Sequence, residues 1–270
     1  MSTAAGTQEG GSGQAPLGDV LARPDEDQPR LGYAAWCERQ VLSPVTVARG
    51  KFIRAEVGLV AKGASATWDE RFTLRSMASN AKREHGAAWD ATLRSMVGSV
   101  EYDRGFVELV RVSASVWRDQ GGSIRQMAPV RHLDLVGAGA LEPAFLGSDA
   151  LAGIRSLLMD RDELTDAHVA ALASSPHVGD LRWLSIAHNE LTDKSGVALA
   201  ASKEIARLVY ADFAGNPNDP TNQFSHDGVV VGSIWLPREG ERLEATHGRL
   251  AWLRWAGQTF ETLVPDRFRV

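Results

Sequence analysis

The stretch Leu181-Arg182-Trp183-Leu184-Ser185-Ile186-Ala187-His188-Asn189-Glu190-Leu191 decides the fold. It reads L-x-x-L-x-L-x-x-N-x-L. Leu184, Ser185 and Ile186 follow the two-residue period of a strand, so Leu184 and Ile186 face one side. Asn189 follows where the strand ends, placed to bond backbone groups of neighbouring turns that are otherwise unsatisfied.

Working outward, the preceding unit is Ile154, Leu157, Met159, Asp162 and Leu164, with Asp162 where the asparagine stands. Earlier units are Val130, Leu133, Leu135 and Val107, Val110, Val112; a later one is Ile205, Leu208, Tyr210. The anchors Val110, Leu133, Leu157, Leu184 and Leu208 are 23, 24, 27 and 24 residues apart. Leucine-rich repeats step by about 20–29 residues. Two units also match beyond the strand. Leu164-Thr165-Asp166 precedes Ala171-Leu172-Ala173, and Leu191-Thr192-Asp193 precedes Ala198-Leu199-Ala200, both at an offset of 27. Thr or Asp caps a helix start, and the Ala-Leu-Ala triplets favour helix. The expected fold is α/β: a short leucine-rich-repeat solenoid, a curved parallel sheet of about five strands with outer helices, preceded by a small α-helical unit.

The expected organisation has four parts. Residues 1–22 are small and polar and are expected to be disordered. Residues 23–98 form the helical unit, with one helix from Asp25-Glu26-Asp27 and a second carrying Phe52, Ile53, Glu56, Val57 and Val60. Residues 62–76 read as a loop, and a third helix as running from about Arg71 to Leu93. Residues 99–216 are the repeats. Residues 217–270 are a capping segment, in which Val229-Val230-Val231 and Leu250 to Trp255 have strand composition. The turn cluster beginning at Asn216 ends the repeats.

Composition excludes several classes. A formal net charge of -5 argues against a nucleic-acid partner. A single cysteine, Cys37, rules out an internal disulfide and a zinc site built on several thiolates. The first residues show neither a basic start nor an apolar run, and no stretch of 18 apolar residues occurs. No membrane partner and a cytoplasmic location are expected.

Two further segments carry a resemblance. Gln28-Pro29-Arg30-Leu31-Gly32-Tyr33-Ala34-Ala35-Trp36-Cys37-Glu38 and Arg49-Gly50-Lys51-Phe52-Ile53-Arg54 are similar to the start of bacterial leucine-rich-repeat proteins with an N-terminal repeat-companion domain. The segment His85 to Trp89, Gly105-Phe106-Val107-Glu108 and the ending Pro265 to Val270 look familial as well. Ala35 and Cys37 depart from the family's usual Asp and Leu. The resemblance covers most of residues 25–270 and implies fold, not a common reaction.

No catalytic constellation emerges. Gly137-Ala138-Gly139 follows a strand, but Glu142 stands where a dinucleotide fingerprint needs its third glycine, so the stretch reads as a turn. Asp160 to Glu163 reads as a solvated turn rather than a calcium loop, with Asp162 filling the asparagine place. The seven histidines form no H-E-x-x-H pair, and Cys37 reads as a packing residue. No metal and no cofactor are expected. The expected function is a non-catalytic protein–protein interaction module, an adaptor or recognition subunit for a partner enzyme. The alternative is an enzyme or enzyme subunit with a site between the helical unit and the solenoid.

Strand alternation gives the expected concave face: Leu109, Arg111, Ser113; His132, Asp134, Val136; Ser156, Leu158, Asp160; Trp183, Ser185, Ala187; Arg207, Val209, Ala211. Its partner-binding candidates are Arg111, Asp134, Leu158, Asp160, Trp183, Ser185, Arg207 and Val209. Trp183 is the expected aromatic anchor, with Leu158 beside it. Nothing on this face is expected to pair a nucleophile with a base.

Overall fold

A computed structural model describes residues 16–216, 221–226, 229–235 and 237–253. The chain divides into two compact units, Met1–Ala91 with Arg104–Phe106, and Thr92–Asp103 with Val107–Val270. Thr92–Asp103 thus group with the second unit, and Arg104–Phe106 with the first.

The first unit is helical. Helix α1 spans Leu17–Ala22 and buries Val20; the expectation of disorder up to residue 22 fails over these six residues, and residues 1–15 lie outside the described residues. Helix α2 spans Asp27–Glu38. Helix α3 spans Pro44–Lys62, with proline in its first turn and the Ser43 hydroxyl accepting from the Thr46 amide. Helix α4 spans Trp68–Trp89. The loop expected at 62–76 is much shorter, because Thr67 and Glu70 form a capping box that starts α4. A short helix α5 follows at Ala91–Arg94, in the stretch where the chain passes to the second unit.

Apolar faces of α2 and α3 supply Ala34, Cys37, Phe52, Ile53 and Val57 to the interior. Cys37 is wholly buried, and burial pushes its thiol up to about 11. Arg49 lies over the rings of Phe52, Trp89 and Phe106 at 5.7, 4.9 and 5.3 Å. Gly105 has φ 84, and a Cβ there would come within 2.6 Å of the Ile53 Cα, so only glycine fits.

The second unit holds a six-stranded open sheet in the order β1-β2-β3-β4-β5-β6. The strands are β1 Ser99–Asp103, β2 Phe106–Ser113, β3 His132–Val136, β4 Ser156–Leu158, β5 Trp183–Ser185 and β6 Tyr210–Asp212. Two residues, Arg104 and Gly105, join β1 to β2, both at positive φ, the geometry of a tight hairpin. Strands β2 to β6 run parallel, which obliges each connection to cross over. Helix α6 (Ala114–Met127) connects β2 to β3, α7 (Asp166–Ala173) connects β4 to β5, and α8 (Asp193–Ala201) connects β5 to β6. Three short 3₁₀ turns replace the helix between β3 and β4.

The pairing register places Val110, Leu133, Leu157, Leu184 and Ala211 in one row, all buried. Four of these are the expected anchors. The fifth is Ala211 rather than Leu208, so the last step is 27 residues, not 24. Two residues on, Val112, Leu135, Met159, Ile186 and Phe213 are also buried. This is an apolar core along one sheet face.

Beyond the strands, polar side chains tie one turn to the next. Asn189 Oδ1 accepts from the amides of Asp162 and Leu164, and its Nδ2 donates to the carbonyls of Met159 and Ala187. Asn216 Oδ1 accepts from Asn189 and Leu191, and its Nδ2 donates to Ile186 and Phe213. Three of these partners are displaced by 27 residues between the two asparagines. Asp162 differs instructively. Its two oxygens accept from the amides of Gly137 and Ala138, at 2.7 and 2.8 Å, and both bonds need only acceptors. A carboxylate suffices there. Asp162 is thus buried rather than part of a solvated turn, whereas Asp160, Arg161 and Glu163 are exposed.

Strands β7 (Thr221–His226) and β8 (Val229–Trp235) form an antiparallel pair, and helix α9 spans Pro237–His247. Val229 to Val231 lie in β8 as their composition suggests. Leu250 to Leu253 form turn and coil instead of a strand, with Trp252 and Leu253 buried in the core. Arg254, Trp255 and the segment Pro265 to Val270 lie outside the described residues.

Candidate functional site

The sheet face opposite the core is built from two register rows. One is Leu109, His132, Ser156, Trp183 and Tyr210; the other is Arg111, Asp134, Leu158, Ser185 and Asp212. Arg111, Asp134, Leu158 and Ser185 therefore stand side by side across four strands. Asp160 follows β4, and its Oδ1 accepts from the Ser185 hydroxyl at 2.7 Å and the Ala187 amide at 2.9 Å.

Arg207 and Val209 do not belong to this face. With Ala211 as the anchor, both precede β6, and Tyr210 and Asp212 take the positions expected for them. Arg207 pairs instead with Asp180, 3.0 Å away. Ala211 moves from the expected concave face to the core row.

The same shift of register changes Trp183. Its ring stacks on Tyr210, with centroids 3.6 Å apart and planes 14° from parallel. Only 8% of it is exposed, so it is not a protruding anchor. Leu158 stands opposite Ser185, not Trp183, whose own neighbours in register are Ser156 and Tyr210. The Tyr210 hydroxyl donates to Asp212 Oδ2 at 3.3 Å, and burial followed by Asp212 raises its pKa.

A serine and a histidine meet on this face, contrary to expectation. Ser156 Oγ lies 2.8 Å from His132 Nδ1. Both belong to one register row, one residue before the anchors Leu157 and Leu133, so the anchor spacing already implied the contact. Nucleophile and base need this separation, but both side chains are buried, and the pair acts as an internal hydrogen bond of the sheet.

Electrostatics on the face are unbalanced. Arg111 and Asp134 form an ion pair at 3.3 Å. Burial raises the Asp134 carboxyl, Arg111 opposes this, and the carboxylates Asp160, Asp162 and Glu101 push it further up.

The dinucleotide alternative is closed by geometry. The Gly137 and Ala138 amides, which would cradle a phosphate, already hold the Asp162 carboxylate. A Cβ at Gly139 would lie 2.1 Å from the Asp162 carbonyl, so this glycine permits close backbone approach. Among the described residues, no group of three His, Cys, Asp or Glu is placed to hold a metal ion. Among them, too, no helix is long and apolar enough to cross a membrane.

No protein-family model, no curated protein and no solved structure matches this chain.

Proposed function

We propose that this chain is a leucine-rich-repeat protein with an N-terminal repeat-companion unit, acting as a non-catalytic adaptor or recognition subunit for a partner protein. The docking surface is the concave sheet face carrying Arg111, Asp134, Leu158, Asp160 and Asp212. The 27-residue offset shared by the Asn189 and Asn216 hydrogen bonds supports the repeat architecture. The observation that carries the binding role is the face itself. An apolar Leu158, half-buried, sits among charged and hydroxyl groups aligned across parallel strands, and protein interfaces commonly have that mixture.

The test uses Leu158→Arg and Asp160→Arg, because Trp183 is too buried to be removed without disturbing the sheet. Wild-type and variant proteins are immobilised in parallel, and proteins retained by the wild type are purified and titrated against all three by calorimetry. Each variant is expected to weaken binding at least about tenfold, or about 1.4 kcal/mol; Leu158→Arg should hold the unfolding midpoint, whereas Asp160→Arg should lower it, because the Ser185 hydroxyl and Ala187 amide lose their acceptor. Equal affinity of wild type and both variants for every retained protein would remove this face from the binding surface.

A further inference from the structure

Trp68 and Phe72 are one turn apart at the start of α4 and stack on each other, with ring centroids 5.1 Å apart and planes 12° from parallel. Unlike the other aromatic residues of the helical unit, they project outward, 69% and 58% exposed. Val60 of α3 is exposed at the same level, because Gly58 lies beside Leu74 and Lys62 bonds Glu70 on either side of it. Beyond the aromatic pair, helical spacing carries Arg75, Ser79 and Arg83 along the same side of the 22-residue helix.

Asp69 and Glu70 follow Trp68 on the helix, while Arg71 and Arg75 flank Phe72. Glu70 is engaged by Lys62 and by the Thr67 cap. Among the described residues, no ion pair involves Arg71 or Arg75. We infer that the Trp68–Phe72 ridge of α4 docks an acidic amphipathic helix of a partner protein, whose apolar side covers the two rings and whose carboxylates meet Arg71 and Arg75. An aromatic centre flanked by arginines is the composition that interface hot spots favour, and opposite charge fixes the orientation of the partner. Charge also argues against the other occupants. A discrete helix can place its carboxylates against Arg71 and Arg75 and away from the exposed Asp69, whereas a uniformly anionic lipid surface must also meet that carboxylate. A second copy of the ridge would bring arginines against arginines.

The probe is a fluorescein-labelled synthetic peptide with leucines at helical i, i+3, i+4, i+7 spacing and glutamates elsewhere, titrated with the full chain by anisotropy. Trp68→Ala/Phe72→Ala and, separately, Arg75→Glu are each expected to weaken binding at least tenfold with unchanged circular dichroism. Rising salt should weaken the wild type and affect Arg75→Glu less. Leu158→Arg should bind the peptide like the wild type, which separates this surface from the sheet face. The inference is overturned if the peptide fails to bind the wild type, or binds the double variant equally well. It is also overturned if the double variant instead abolishes retention on phosphatidylserine-containing vesicles, or dissociates a dimer seen by sedimentation velocity.

Discussion

Asn189 and Arg49 are polar side chains buried in apolar surroundings, one in each unit, and they are held in different ways. Asn189 bonds only backbone: two amides and two carbonyls of adjoining turns. Arg49 lies over three aromatic rings that come from residues 52, 89 and 106. Backbone groups recur whatever the side chains are, so an asparagine that serves them can recur at a fixed interval, as Asn216 does. Rings must be supplied individually from distant parts of the chain, so a site like that of Arg49 has no period. The second unit is therefore held by a lattice and the first by a cluster.

The comparison breaks most directly at Leu184, which is fully buried in the central row. Leu184→Ala is expected to cost about 2–5 kcal/mol, the range for emptying a packed leucine site. Urea unfolding of the purified variant measures it. A loss below about 1 kcal/mol would mean that the rows relax around the gap and do not act as a lattice.

Asn189 gives a smaller and more discriminating effect. Asn189→Ala leaves the Asp162 and Leu164 amides without their acceptor, at an expected cost of about 1–3 kcal/mol. Asn189→Asp keeps an acceptor but loses both donors and places a carboxylate among buried carbonyls, so it should cost at least as much as Ala. If the aspartate were as stable as wild type, the donor half of the ladder would be irrelevant. Position 162 makes the contrast meaningful, since a carboxylate meeting two amides is already in place there.

The lattice was largely legible in the sequence, and its one misreading is informative. Val110, Leu133, Leu157 and Leu184 follow from the apolar period, and strand pairing keeps them in one row. At the fifth strand, Ile205, Leu208 and Tyr210 imitate the spacing of an earlier unit, while the true row offers the less distinctive Ala211 and Phe213. Asn216 was the usable signal, because it lies 27 residues beyond Asn189. The misplaced row also hid the stack on Trp183: with Leu208 as anchor, Arg207 would face the indole, and with Ala211 it is Tyr210. The helical unit was legible only in outline. The Thr67–Glu70 capping signature was present in the sequence, but nothing local reveals which rings surround Arg49, or that Trp68 and Phe72 stay uncovered.

The smallest expected effect concerns Glu70, which ties the end of α3 to the start of α4 at the surface. The hydrogen bond from Lys62 comes first, then those from the Thr67 amide and hydroxyl, and together they hold the carboxyl at about 2, below its ordinary 4.5. Its folded-state value is depressed, so the charged form favours the folded state. That contribution is complete above the unfolded value near 4.5 and fades as pH falls towards about 2. Glu70→Gln should therefore lower the thermal midpoint at neutral pH, and the gap between variant and wild type should close on acidification through that window. Added salt should shrink the part due to Lys62, because an exposed ion pair is screened. The cap itself should survive the substitution, since the glutamine amide oxygen can still accept from the Thr67 amide. A gap that stayed constant through acidification would show that Glu70 acts through helix packing rather than charge, and a gap that salt left untouched would show that the pairing with Lys62 contributes nothing to it.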